Sequence, residues 1–221
     1  MMTKKIKSFF KYFNSVGFSL TTWWKFFKIN FFSNNIISKK GLFLIHNYSR
    51  IHIDKKAKII LNSHFVFGIK QVKSSHLETR LLLEENSKLT INGSFGVYCN
   101  SYIRVVKGGS LILNGGFINE NVQITCASKI SIGKGCTIAR DVIIRDYDSH
   151  TIEEDGFEMM KPITIGNNVW IGNRAMILKG VTIGDGAIVA AGAIVTKNIP
   201  SKTIAAGVPA RVIKEGVKWK I

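Results

Sequence analysis

Reading forward from Ile165, an aliphatic residue recurs every six positions without a slip: Ile165, Ile171, Ile177, Ile183, Val189 and Val195. Four residues after each stands a second small or aliphatic side chain, in turn Val169, Ala175, Val181, Ala187, Ala193 and Ile199. A period of six suits neither an amphipathic helix, which repeats about every 3.6 residues, nor a long strand, which repeats every two. It suits a three-sided solenoid in which each hexapeptide supplies one short strand and three hexapeptides close a coil. Each anchor then points inward and stacks on the anchor one coil below, about 4.8 Å away. Glycine and asparagine in "IGNN" and "IGDG" supply the corner conformations that β-branched residues avoid.

The same count runs through Ile132, Ile138 and Ile144, with Cys136 and Val142 in the smaller inward position. Then it breaks: Ile144 and Ile165 are 21 residues apart where six would do, so about 15 residues, within 145–162, must leave the solenoid as a loop. Upstream, "AKIILNSHFVFG" and "SKLTINGSFGVYCNSYIRVVKGGSLILNGGFINENVQI" alternate apolar and polar residues between Gly/Asn turns. These read as degenerate early coils, an ordinary β-sandwich over 55–125 being the alternative. The expected fold is all-β, a parallel β-helix over residues 55–205 with roughly eight coils, preceded by an N-terminal segment (1–50) and followed by a tail (206–221).

The net charge of +17 is unevenly spread: residues 1–53 hold nine Lys/Arg and no acidic residue. The same stretch is crowded with rings, and lysines 7, 11, 25 and 28 interrupt its apolar runs, so no run reaches the 18 or so residues needed to span a bilayer. No small-residue cleavage site follows, so no secretory leader is expected. As a helix over 4–32, it would gather Ile6, Phe9, Phe10, Phe13, Val16, Leu20, Trp24, Phe27 and Phe31 near one face. A basic, aromatic amphipathic helix of this kind suits an anionic membrane surface, through residues 1–40; it also suits a cap on the open end of the solenoid. No nucleic-acid motif accompanies the charge, and nucleic acid is not an expected partner.

Cys99, Cys126 and Cys136 are odd in number, lack CxxC spacing and have no histidine cluster beside them, so neither disulfides nor a metal site is expected. There is no GxGxxG or P-loop. His46, His52, His64 and His76 lie in the degenerate half and read as surface or structural residues. His150 is different, because it stands in the one interruption of the repeat, "IRDYDSHTIEEDGFEMMKPITIG". The same loop holds six of the chain's 14 carboxylates, mostly readable as a solvated tip.

In "ITIGNNVWIGNRAMILKGVTIGDGAIVAAGAIVTKNIPSKTIAAGVPARVI" (163–213) and "IRDYDSHTI" the chain resembles the hexapeptide-repeat acyltransferases. Within them it resembles the bacterial sugar O-acetyltransferases of capsule, O-antigen and exopolysaccharide assembly. The resemblance implies a left-handed coil, a homotrimer in a cytoplasmic setting, acetyl-CoA bound between neighbouring β-helices, and His150 as general base toward a sugar hydroxyl of a glycan precursor, free or lipid-linked. Imidazole suits that task, since a sugar hydroxyl attacks a thioester only as its proton is removed. Asp148, Asp146 and Glu153 are the candidates to hold the imidazole. Trp170 matches a family tryptophan beside the active site, as a platform for sugar or pantetheine or as a packed ring. For CoA the resemblance implies backbone contacts at Ala190, Ala191, Gly192 and Gly207, with Lys197 and Arg211 for the phosphates. The γ-type carbonic anhydrases share this solenoid but need a set of zinc-binding histidines, and residues 118–221 contain only His150. A nucleotide-sugar N-acetyltransferase and a non-catalytic trimeric scaffold at the membrane are the other readings.

Overall fold

The computed structural model describes residues 20–38, 40–72 and 74–220. Among the described residues twenty-three short strands stack into three sheets, and from β1 to β21 the chain visits them in strict rotation. The first sheet is β1 (Ile36–Ser38), β4 (Lys58–Leu61), β7 (Lys88–Ile91), β10 (Ser110–Leu113), β13 (Lys129–Ile132), β16 (Ile163–Ile165) and β19 (Thr182–Ile183). The second is β2 (Phe43–Ile45), β5 (Phe65–Ile69), β8 (Phe95–Tyr98), β11 (Gly116–Ile118), β14 (Cys136–Ile138), β17 (Trp170–Ile171), β20 (Ile188–Val189), β22 (Ile204–Ala206) and an antiparallel β23 (Arg211–Lys214). The third is β3 (Ser49–Ile53), β6 (Thr79–Leu83), β9 (Tyr102–Val105), β12 (Gln123–Cys126), β15 (Ile143–Arg145), β18 (Met176–Ile177) and β21 (Ile194–Val195). All pairings but the last of the second sheet are parallel between successive coils, so the chain winds a three-sided prism around one core.

The hexapeptide anchors occupy that core. Ile165, Ile171, Ile177, Ile183, Val189 and Val195 are all buried, and so are the smaller side chains four residues after each. Ile165 pairs with Ile183, Ile171 with Val189 and Ile177 with Val195, each three hexapeptides on. Removing a buried isoleucine from water is worth about 1.5–3 kcal/mol, so a stack repeated on three sides outweighs the ordering of short corners. Corners are held by left-handed residues such as Asn121 (φ 59°) and Asp141 (φ 62°), whose side chains bond to each other at 2.7 Å.

The solenoid begins at Ile36, so β1, β2 and the start of β3 belong to it and not to the N-terminal extension. The described part of that extension is a helix, α1 (Leu20–Phe32), which closes the open end. Asn30 does what a neighbouring strand would do: its Nδ2 donates to the Phe43 carbonyl and its Oδ1 accepts from the Phe43 N–H, both at 2.8 Å. Phe26 is buried against Leu42 and Leu44, and Ile29 packs on the main core. Leu20, Trp24, Phe27 and Phe31, members of the face expected from the sequence, point to solvent instead. Docking follows the Thr22–Phe26–Ile29–Asn30 side because an edge strand needs a polar partner as well as an apolar one. The earlier members of that face, Ile6 to Val16, lie outside the described residues. Among the described residues no helix is long and apolar enough to cross a membrane.

Candidate active site

The excursion leaves after Arg145 and returns at Ile163, making Ile130 pair with Ile163. It departs from the edge between the third and first sheets. Asp146, fully buried, anchors its base: the carboxylate accepts from the Ala127 N–H at 2.6 Å and the Ser128 N–H at 2.9 Å, while its carbonyl accepts from the Lys161 N–H at 3.0 Å. A buried carboxylate persists only with such donors, and these commit Asp146 to the corner, away from His150. Beside it Cys126 is buried, and its thiol is pushed well up, chiefly by burial and then by the Asp146 charge, so it stays protonated.

Above Asp146 the two limbs of the loop pair. Tyr147 bridges Met160, and the Asp148 N–H donates to the Met159 carbonyl at 2.9 Å. Lys179, on the next coil, clamps both limbs. Its ammonium is ion-paired with Asp148, donates to the Glu158 carbonyl at 2.6 Å and sits 4.2 Å from the centre of the Phe157 ring. Arg145 braces the same stem, donating to the Tyr147 carbonyl at 3.2 Å and the Ser149 hydroxyl at 3.1 Å. His150 follows directly, exposed at the start of the tip and without a hydrogen bond to any described residue. Asp148 thus meets Lys179 and not the imidazole in this chain. Glu153 is exposed in the tip, with no bond to His150.

The other expected residues fall on three separate parts of the prism. Lys197 is exposed just after β21, on the loop's own edge two coils below. Ala190, Ala191 and Gly192 follow β20, and Gly207 follows β22, so all four lie on the edge between the second and third sheets. Gly192 has φ +70° and open space where a side chain would stand, which leaves its backbone approachable by a ligand. The two edges flank the outer face of the third sheet, where Ile143, Met176 and Ile194 form a half-buried column in register.

Trp170 and Arg211 lie elsewhere, on the second sheet. Arg211 opens β23 and is exposed. Trp170 faces outward, 42% exposed, with the ring of Trp219 6.0 Å away. Two residues that touch the expected ones carry no signal in the sequence. Lys179 differs in no way from other corner lysines until the loop above it is built, and Trp219 is a lone ring in a charged tail. Among the described residues no three His, Cys, Asp or Glu side chains converge as a metal site would need.

Residues 162–197 match the family model described as bacterial transferase hexapeptide (six repeats). The galactoside O-acetyltransferase of Escherichia coli (strain K12) is 44% identical over 102 residues, which cover 45% of this chain and 50% of that protein. The chain therefore spans half the length of that curated relative. A putative acetyltransferase of Saccharomyces cerevisiae is 32% identical over 170 residues, 75% of this chain and 83% of that protein. Among solved structures, the polysialic acid O-acetyltransferase OatWY superimposes with a TM-score of 0.51 at 24% identity, covering 83% of this chain and 90% of that one. That likeness shows the fold, a left-handed parallel β-helix.

Proposed function

The chain belongs to the hexapeptide-repeat transferase family, and from that premise we propose that it is an acetyl-CoA-dependent O-acetyltransferase acting on a sugar hydroxyl in bacterial surface polysaccharide synthesis. The observation that carries this reading is the clamped loop stem. Asp146, Lys179 and Arg145 fix the limb that ends at His150, on the edge facing the glycine-rich corner at Gly192 and Gly207 across one sheet. In the reaction, His150 takes the proton of the sugar hydroxyl as its oxygen bonds to the acetyl carbonyl carbon. The carbon–sulfur bond breaks, and the imidazolium returns its proton to the departing sulfur, giving the sugar ester and CoA thiol.

Acetyl-CoA fits the residues present. Gly192 leaves room for a chain to lie against backbone, and Lys197 and Arg211 are exposed cations suited to phosphates. His150 stands in water on a single chain, so the working site is closed by a second copy in a homotrimer, which also covers the Ile143–Met176–Ile194 column. Asp148 acts in this scheme by holding the limb through Lys179, and Trp170 contributes through the neighbouring prism. The galactoside O-acetyltransferase relative supports a sugar hydroxyl as acceptor. His150→Ala is expected to keep the oligomer and lower acetyl transfer about 10²- to 10⁴-fold, followed by mass spectrometry of acetylated glycan. Transfer at an undiminished rate would remove His150 from the mechanism.

The setting we propose is the cytoplasmic face of the membrane, through the exposed Leu20, Trp24 and Phe31 of α1, with Lys25 and Lys28 beside them. Trp24→Ser with Phe31→Ser is expected to release the protein from vesicles containing anionic lipid. Unchanged sedimentation with such vesicles would leave α1 as a cap alone.

A further inference from the structure

The outer face of the third sheet changes character along the prism. In register, β3, β6, β9 and β12 present Arg50, Arg80, Tyr102 and Gln123 as one column. The parallel column is His52, Leu82, Arg104, Thr125 and, on β15, Arg145. Facing the first coils across a groove of about 810 Å³ stand Lys25 and Lys28 of α1. Arg50 and Arg80 are 79% and 62% exposed, so their guanidinium groups reach solvent.

Acidic partners only partly offset these cations. Glu78 is shared by Arg50 and Arg80, Glu84 binds Arg104 at 2.6 Å, and Asp54 holds His52 at 2.7 Å. Lys25 donates to the Ser49 carbonyl at 3.2 Å, Arg145 bonds only to neutral loop oxygens, and Lys28 has no partner among the described residues. Among the described residues six permanent cations therefore face three carboxylates, and a guanidinium shared through one carboxylate keeps further donors free. The column ends at Arg145, whose guanidinium holds Ser149, the neighbour of His150. From β3 to β15 is four strand steps, about 19 Å at the spacing of a sheet.

We infer that this face is a track for an extended acidic glycan, running from the groove beside α1 along the third sheet to the His150 loop. The inference rests on the acetyltransferase reading and specifies its acceptor. A single phosphate or diphosphate would engage one end only. A chain with carboxylates at intervals can meet Arg80, Arg104 and Arg145 in turn and bring a ring hydroxyl to His150. Tyr102, with the Arg80 guanidinium 5.5 Å over its ring, gives a flat surface on which a sugar ring can lie.

The test is binding by the full chain to fluorescently labelled sialic acid oligomers of increasing length, against neutral maltooligosaccharides of matched length and a short single-stranded oligonucleotide of matched charge. Affinity is expected to climb with length for the acidic sugars and level off once they span the face, with neutral sugars and the oligonucleotide binding more weakly. Lys28→Glu with Arg80→Glu is expected to weaken the acidic oligomers about 100-fold, near tenfold for each charge-assisted hydrogen bond removed. Lys28→Ala alone, at an exposed position, gives the same direction if the double variant does not fold. Equal affinity for neutral and acidic sugars, no dependence on length, or an oligonucleotide bound as tightly would each overturn the track. A protein that acetylates sugars while binding both kinds of chain alike loses the track and keeps the enzyme. One that binds acidic oligomers by length but never transfers acetyl keeps the binding face and loses the enzyme.

Discussion

The two halves of the prism fill the same core by different means. Upstream, many strands have four or five residues and turn two bulky side chains inward, such as Phe65 and Phe67 on β5 and Leu81 and Leu83 on β6. Downstream, two-residue strands contribute one anchor each, and alanines complete the layer at 175, 187 and 193. Corner lengths follow from this. From Ile165 to Val195 the coils repeat after three hexapeptides with nothing spare, whereas Ile36 pairs with Ile59 and Ile59 with Leu89. A core of large side chains tolerates uneven corners because its strands fix their own register; a core built on alanine does not.

That contrast breaks most easily at the aromatic cluster. Phe43, Phe65 and Phe67 have ring centres 4.9–6.1 Å apart and no exposure. Phe67→Ala is expected to cost about 3–5 kcal/mol in urea unfolding, transfer and cavity terms together. Ala187→Leu, in the tight half, is expected to cost about 1–3 kcal/mol by overpacking. An Ala187→Leu protein as stable as the parent would show slack downstream and end the comparison.

Acid sharpens the same difference. Burial, reinforced by the Lys70 ammonium, pushes the His46 imidazole down from 6.5 to about 4. His64 is lowered by burial as well, and its Nδ1 accepts from the Leu42 N–H at 3.3 Å. A depressed folded value means that stability is whole above pH 6.5 and is lost as pH falls toward 4, because the unfolded chain takes the proton first. For His46 the full loss is about 3 kcal/mol. The one histidine downstream, His150, is exposed on the loop, so the slope set by buried histidines belongs to the upstream half. Unfolding midpoints measured from pH 7.5 to 4.5 should flatten in a His46→Gln, His64→Gln protein, and an equally steep profile would assign the loss to other groups.

Legibility follows the same division. The downstream period can be read residue by residue because every sixth position is an obligatory inward side chain, and the loop announces itself as a break in that count. Upstream, alternation marks strands but not their register, so the start at Ile36 does not show: a short strand between polar and basic residues has no period of its own. The docking face of α1 does not show either, because Asn30 works by hydrogen bonding an edge, a role invisible to hydrophobic phase. His150 is legible as the histidine in the interruption; its supports are not, since Asp146, Asp148 and Glu153 look alike until the fold sends one into a corner and another to Lys179.

The smallest effect on stability is expected at that last ion pair, and it separates two roles for Asp148. Lys179 is 20% exposed and Asp148 43%, so their attraction is screened and contributes about 0–1 kcal/mol. Lys179→Met keeps the stem against Phe157 and should leave the unfolding midpoint within about 0.5 kcal/mol of the parent. If the clamp positions His150, kcat should fall about tenfold with KM little changed, since a loosened limb loses reactive geometry more than binding. Asp148→Asn should then match it, and the double variant should be no worse than either single one, the mark of two residues acting through one interaction. If Asp148 instead orients the imidazole in the proposed trimer, Asp148→Asn will lower kcat further in the Lys179→Met background. The cycle thus decides whether the carboxylate near His150 serves the ring or the limb that carries it.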